Sequence, residues 1–287
     1  MSVKGVIVAA GYGSRFLPVT KTVPKEMLPL IDKPAIQFII DEFLEAGIRD
    51  ILIITSRRKK VLDDYFDREI EMEQAMQKPG KEMGLQHIKP ADCNVFFVRQ
   101  QEMKGTGHAL LLARPFTGDD PFVVAYPDDI VFSKTSLSRQ LLDVHEQNGK
   151  SVLAVKDLAG QDVSRYGVVD PSEQANPCGV RQLVEKPPRG QEPSTLVSYG
   201  RYLFTSELYT HLEKGLAQHG GGEFYHVDAI NQLAADGKMC ALDFEGERLD
   251  TGAPIGYLEA MCRYALQRED LADQARAIFK KLGADHE

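Results

Sequence analysis

Two cations beside a pair of glycines are the residues best suited to chemistry. The apolar run Val6-Ile7-Val8-Ala9-Ala10 leads into Gly11-Tyr12-Gly13-Ser14-Arg15, and Lys25 follows in Val23-Pro24-Lys25-Glu26-Met27. Glycines allow a tight turn and a close approach of backbone to ligand. Backbone N–H groups together with fixed cations are what a polyphosphate needs. A dinucleotide-binding turn carries a third glycine where this chain has Phe16. Arg15 and Lys25 tilt the reading from an ordinary glycine turn toward a nucleoside triphosphate site.

Other candidates recur at the ends of apolar runs. Gly105-Thr106-Gly107 follows the run Val95-Phe96-Phe97-Val98, with Gln100 between. A uracil-type edge offers one N–H flanked by two carbonyls. Gln100 has both a donor and an acceptor, and the backbone amides at Gly105 and Gly107 can serve the rest; a solvated loop has the same composition. Phe122-Val123-Val124-Ala125-Tyr126 ends in Pro127-Asp128-Asp129. Carboxylates there suit Mg²⁺, which takes one or two of them plus phosphate oxygens and water. Pro-Asp-Asp is also turn chemistry. Successive strand residues point opposite ways, which favours Asp128 as the ligand and leaves Asp129 a neighbour. Asp250 is either the cap region of a helix opening at Pro254 or a second metal ligand. Glu185-Lys186-Pro187 closes another apolar run: Glu185 can accept from sugar hydroxyls and Lys186 can hold a phosphate. Gly167 and Gly200 fit places where a flat ligand touches backbone.

These residues need a scaffold that brings run ends together. Strands are expected near 51–54, 95–98, 122–126 and 151–155, and helices at 34–47, 60–76, 137–144 and from 106 to about 113. That alternation predicts a parallel sheet with right-handed crossovers, its ligands beyond the C-terminal strand ends. A loop is expected over 77–92. Beyond 155 the strand-like runs 166–169, 180–188 and 196–204 have no long helix between them, which predicts an antiparallel or mixed extension of the sheet. Helices at 206–215 and 223–235, a strand at 241–244 and amphipathic helices from 254 to about 282 complete the chain.

The 287 residues carry a net charge of −8, with 43% hydrophobic and 26% charged residues. That composition is ordinary for a globular protein and offers no general attraction to nucleic acid or an anionic membrane. The N-terminal stretch has no signal-peptide pattern, and no apolar run is long enough to span a bilayer. Cys93, Cys178, Cys240 and Cys262 are scattered. Free thiols in a reducing cytoplasm are the simple expectation.

Taken together, the stretch from Ala9 to Pro29, Val98-Arg99-Gln100 with Gly105-Thr106-Gly107-His108-Ala109, Pro127-Asp128, Tyr166-Gly167-Val168-Val169, Glu185-Lys186-Pro187, Gly200-Arg201-Tyr202 and Asp250-Thr251-Gly252 resemble the bacterial UTP–glucose-1-phosphate uridylyltransferases (UDP-glucose pyrophosphorylases). They run in the family's order over nearly the whole chain. The resemblance implies a Rossmann-like α/β nucleotide-diphospho-sugar transferase fold, with a mixed central sheet flanked by helices. It implies one nucleotidyltransferase domain over 1–287: a nucleotide-binding half to about 155, a sugar-binding half to about 252, and C-terminal helices. Ala9, Ala10, Gly11 and Gly13 would line the nucleotide, with Arg15 and Lys25 on its phosphates. Glu26, Gln100, Gly105 and Gly107 would help read the uracil. Asp128, with Asp250, would bind Mg²⁺. Gly167, Glu185 and Gly200 would hold glucose, and Lys186 its phosphate. UTP and glucose 1-phosphate would be the substrates of a homo-oligomer, a dimer or tetramer. The family's Leu-Pro-Asp-Val is Tyr126-Pro127-Asp128-Asp129 here, and its Leu-Thr-Asp-Ala-Ile is His226-Val227-Asp228-Ala229-Ile230. A thymidylyl- or cytidylyltransferase is the nearest alternative. A dehydrogenase lacks its third glycine here, and a non-catalytic nucleotide-sugar sensor would have lost cations or carboxylates that this chain keeps.

Overall fold

The apolar runs become the central strands of a nine-stranded mixed sheet. The computed structural model describes residues 2–77, 84 and 88–284. Four strands, β1 (Lys4–Val8), β4 (Asp50–Thr55), β5 (Asn94–Arg99) and β6 (Phe122–Ala125), are parallel in the order β5-β4-β1-β6. Short pairs β2 (Pro29–Leu30) and β3 (Lys33–Pro34) stand apart from this sheet. Alternate residues of the strands feed two cores. Val6, Leu52, Ile54 and Val124 pack on one face, and Ile7, Ile51, Ile53 and Val123 on the other. Burial on both faces explains why these strands read as continuous apolar runs.

Helix α1 (Ala35–Glu45) covers the second face through Ile36, Ile39, Ile40 and Phe43. Two helices follow β4, α2 (Val61–Phe66) and α3 (Ile70–Met76), where one was expected over 60–76. The break has a local cause: the Asp67 carboxylate accepts from the Arg68 N–H at 2.8 Å, a side-chain competitor to the helix ladder. Most of the loop expected over 77–92 lies outside the described residues. Helix α4 (Thr106–Leu111) leaves the second glycine loop, and α5 (Arg114–Thr117) precedes β6.

After β6 come β7 (Asp129–Phe132), α6 (Leu137–Asn148) and β8 (Ser151–Asp157). The extension is mixed, as expected. β9 (Gly167–Pro171), β10 (Cys178–Glu185) and β11 (Leu196–Phe204) lie antiparallel to their neighbours, and β11 bridges β6 to β8. Helices α7 (Glu207–Gln218) and α8 (Val227–Ala235) pack on the first face. β12 (Met239–Asp243) runs parallel to β8. β13 (Glu247–Asp250) pairs with β7 in a separate ladder that sets Asp250 opposite Asp129. Helices α9 (Pro254–Gln267) and α10 (Ala272–Ala284) end the chain.

Helix α8 begins four residues after the expected Glu223, at Val227. Phe224 is committed to the second glycine loop instead. Its N–H donates to the Lys104 carbonyl at 2.8 Å, and its carbonyl accepts from Gly107 N at 2.9 Å. A backbone so engaged cannot also supply a helix ladder.

Candidate active site

The loops after β1 and β5 open on one side of the sheet, beyond the C-terminal ends of parallel strands. Between them lies a cleft of about 330 Å³ lined by Ala10, Gly11, Lys25, Glu26, Gln100 and Gly105 among others. Those six were all expected at the nucleotide. The sequence did not single out Tyr12, Ser14, Thr106, Tyr126, Glu223 or Tyr225, which also line the cleft. Glu223 and Tyr225 arrive only because Phe224 is docked on the glycine loop, a pairing remote in sequence.

The glycines have distinct reasons. Gly105 has φ +92°, and a Cβ there would come within 2.4 Å of the Phe224 carbonyl oxygen. Gly13 has φ +67°, and its carbonyl accepts from Thr20 Oγ1 at 2.7 Å. Gly107 donates its N–H to Phe224, so it supports the loop from behind. Gln100 donates from Nε2 to the Gly105 carbonyl at 3.0 Å. That leaves its carbonyl oxygen to accept from a base N–H.

Charged groups meet beneath this cleft. Lys25 Nζ donates to Asp128 Oδ2 at 2.6 Å. Burial works to raise the Asp128 carboxyl, but the Lys25 ammonium, a backbone hydrogen bond and Arg248 together outweigh it, and the net direction is down. The space over Gly252 is bordered by Asp128 Oδ2, Asp250 Oδ1 and Arg15 Nη1, at 2.8, 3.0 and 3.5 Å from a Cβ built there. Arg15 donates to the Gly252 carbonyl at 3.3 Å and is otherwise exposed. Asp250 also ties the turn ahead of α9, accepting from Gly252 N at 2.9 Å. Asp129 points elsewhere: its Oδ1 accepts from Arg248 Nε at 2.6 Å. Burial pushes Asp129 up, against the pull of Arg248.

The two carboxylates supply the hard oxygens a divalent ion takes, and the Lys25 ammonium now occupies Asp128 Oδ2. Lys25 holds positive charge against Asp128, and Asp250 brings a second hard oxygen donor to the same space. No group of three or more metal-binding side chains occurs among the described residues. An ion there would draw its remaining ligands from phosphate and water, the habit of Mg²⁺.

The sugar-side candidates lie on the antiparallel extension. Gly167 and Glu185 are register partners of β9 and β10. Lys186 adopts φ +48°, has a side chain 70% exposed, and lies 3.7 Å from Glu185. Gly200 sits where the β11 register with β8 shifts, and its carbonyl accepts from Tyr126 N at 3.1 Å. A Cβ on Gly200 would come within 2.5 Å of Asp129 Oδ2 and 3.0 Å of the Tyr126 ring. The neighbouring Arg201 is internal: it is 1% exposed and donates from Nη2 to Glu42 Oε2 at 2.7 Å. Glu185 also adds negative charge near Tyr225, whose phenol is raised first by its bond to Glu223.

Lys59 is a buried charge at the cleft that sequence reasoning missed. Its ammonium meets the Ala9 carbonyl and both oxygens of Glu26. Burial drives it down while Glu26 opposes. Ala9 is thus engaged behind the cleft wall, and Glu26, which lines the cleft, has both side-chain oxygens on Lys59.

A crevice at the ends of parallel strands, with Arg15 and Lys25 by its glycine loop and Asp128 and Asp250 close together, is the setting a nucleotidyl transferase needs. The family model for nucleotidyl transferases matches residues 4–267, and the chain belongs to that family. The UTP–glucose-1-phosphate uridylyltransferase of Staphylococcus epidermidis is 43% identical over 97% of this chain and 98% of its own length. A UDP-glucose pyrophosphorylase solved as a complex with UDP-glucose is 36% identical, with TM-score 0.81 over 93% of this chain and all of that one. A UTP-bound enzyme of the same kind from Acinetobacter baumannii is 31% identical, with TM-score 0.89 over 98% of this chain and all of that one.

Proposed function

We propose that this chain transfers UMP from UTP to glucose 1-phosphate, giving UDP-glucose and pyrophosphate. The observation that carries this reading is the meeting of Arg15, Lys25, Asp128 and Asp250 beside the cleft that Gln100 and Gly105 line. The nucleophile is an oxygen of the sugar phosphate. Its second pKa of about 6 makes it an anion near neutrality, so no general base is needed. The protein's work is in-line positioning and charge neutralisation. Arg15 and Lys25 offset charge on the triphosphate and the departing pyrophosphate, and Lys186 on the incoming phosphate. Gln100 and the Gly105–Gly107 loop, with Glu26 behind, read uracil. Gly167, Glu185 and Gly200 hold glucose. Asp128 and Asp250 would hold a Mg²⁺ ion, whose chemistry would be to neutralise phosphate charge.

The nucleotide half and the sugar half share one sheet, and the C-terminal helices serve assembly. Ile255 (76% exposed), Leu258 and Ile278 leave an apolar surface on α9 and α10 suited to a second copy. Light scattering should report a dimer or tetramer. Four unpaired cysteines suit a reducing cytoplasm. The decisive assay is pyrophosphate release with UTP, TTP and CTP, each crossed against several sugar 1-phosphates. UTP with glucose 1-phosphate should be fastest, and a faster pair would reassign the activity.

A further inference from the structure

Both phosphate-facing segments converge on one buried ammonium. Lys59 leaves the turn after β4, where its N–H donates to the Ser56 carbonyl at 3.1 Å. Its side chain runs inward, and the residue is 5% exposed. Nζ lies 2.5 Å from the Ala9 carbonyl oxygen and 2.8 Å from each Glu26 oxygen. An ammonium has three protons, and each finds an acceptor here. Ala9 directly follows β1, at the start of the loop that carries Gly11, Gly13 and Arg15. Glu26 follows Lys25 in the 3-10 turn Lys25–Met27. Gln100, the base-facing amide, hangs from a different strand end.

A buried ion pair is poor evidence for net stability, because apolar residues of similar size pack as well. Its distinctive property is orientation: three directed bonds fix two loops relative to each other. We propose that Lys59 is a positioning residue for the triphosphate, holding the glycine loop and the Lys25 turn in the register in which their donors meet the phosphates. The inference rests on the nucleotidyl-transfer reading above.

The test compares equilibrium binding of UTP and UMP by calorimetry in the wild type, Lys59→Met and the double variant Lys59→Met/Glu26→Met. Loosened phosphate loops weaken UTP far more than UMP, so the ratio of UMP to UTP dissociation constants should fall about tenfold in both variants. Loss of a base contact weakens both ligands together and leaves the ratio alone. A purely structural Lys59 lowers the melting temperature and also leaves the ratio alone. The double variant has no unpaired buried carboxylate, and it decides the matter if Lys59→Met does not fold. An unchanged ratio in a folded variant overturns the proposal while UTP binding by the wild type stands. A wild type that binds no UTP sinks the nucleotidyl-transfer reading, and the role of Lys59 with it.

Discussion

At the scale of single residues, two adjacent aspartates have divided their tasks. Asp128 faces Lys25 and the space over Gly252, whereas Asp129 is bound to Arg248. Asp128→Asn should therefore raise the half-saturating Mg²⁺ for activity by at least the roughly tenfold that even an outer-shell change brings. Asp129→Asn should move it less, and the reverse ranking in a Mg²⁺ titration would exchange their roles. His226 makes a different prediction. Its Nδ1 is 2.8 Å from Thr106 Oγ1, and burial pushes its pKa from the ordinary 6.5 down to about 4. The unfolded chain takes up that proton first. The stabilisation is thus complete above about 6.5 and is lost as pH falls toward about 4, in all roughly 3 kcal/mol. Urea unfolding of His226→Leu between pH 7 and 4 should show a flatter acid limb; an unaltered slope would contradict the assignment. The sequence pattern exposed Arg15, Gln100 and Asp128 because each follows an apolar run, and Lys25 because it is a second cation close to the glycine loop. Lys59 was hidden in Arg57-Arg58-Lys59-Lys60, where nothing local distinguishes the inward cation from its solvated neighbours.

At the scale of elements, the site depends on how strand ends are clamped. Arg201 lies on the shifted stretch of β11 and reaches Glu42 of α1, through Nε at 2.9 Å and Nη2 at 2.7 Å. Glu42 in turn accepts from Ser138 N at 3.0 Å, joining α6. Arg201→Leu would leave the Glu42 carboxylate buried and unpaired, a loss of about 3–5 kcal/mol measurable by urea denaturation. A change under about 1 kcal/mol would show that the clamp is not needed. The buried strands were legible because they are apolar on both faces. The β7–β13 ladder was not, since its pairing partners are far apart in sequence and too short to carry a period. The start of α8 was misplaced for a related reason: Glu223-Phe224-Tyr225 is compatible with a helix, but the backbone bonds of Phe224 to Lys104 and Gly107 keep it out of one.

At the scale of the whole molecule, a chain of net charge −8 must bring polyanions together. Arg15 and Lys25 stand by one crevice, while β11 joins the strands that open on it to the extension bearing Glu185 and Lys186. That arrangement suits attack by the sugar phosphate on the α-phosphorus of UTP, with pyrophosphate as the leaving group and no hydrolysis. The measurement that tests this most directly is ³¹P NMR of the reaction of UTP with glucose 1-phosphate carrying ¹⁸O in its phosphate. The account predicts UDP-glucose whose β-phosphorus keeps all of the label, and pyrophosphate with none. Label in pyrophosphate, or no UDP-glucose at all, would contradict it.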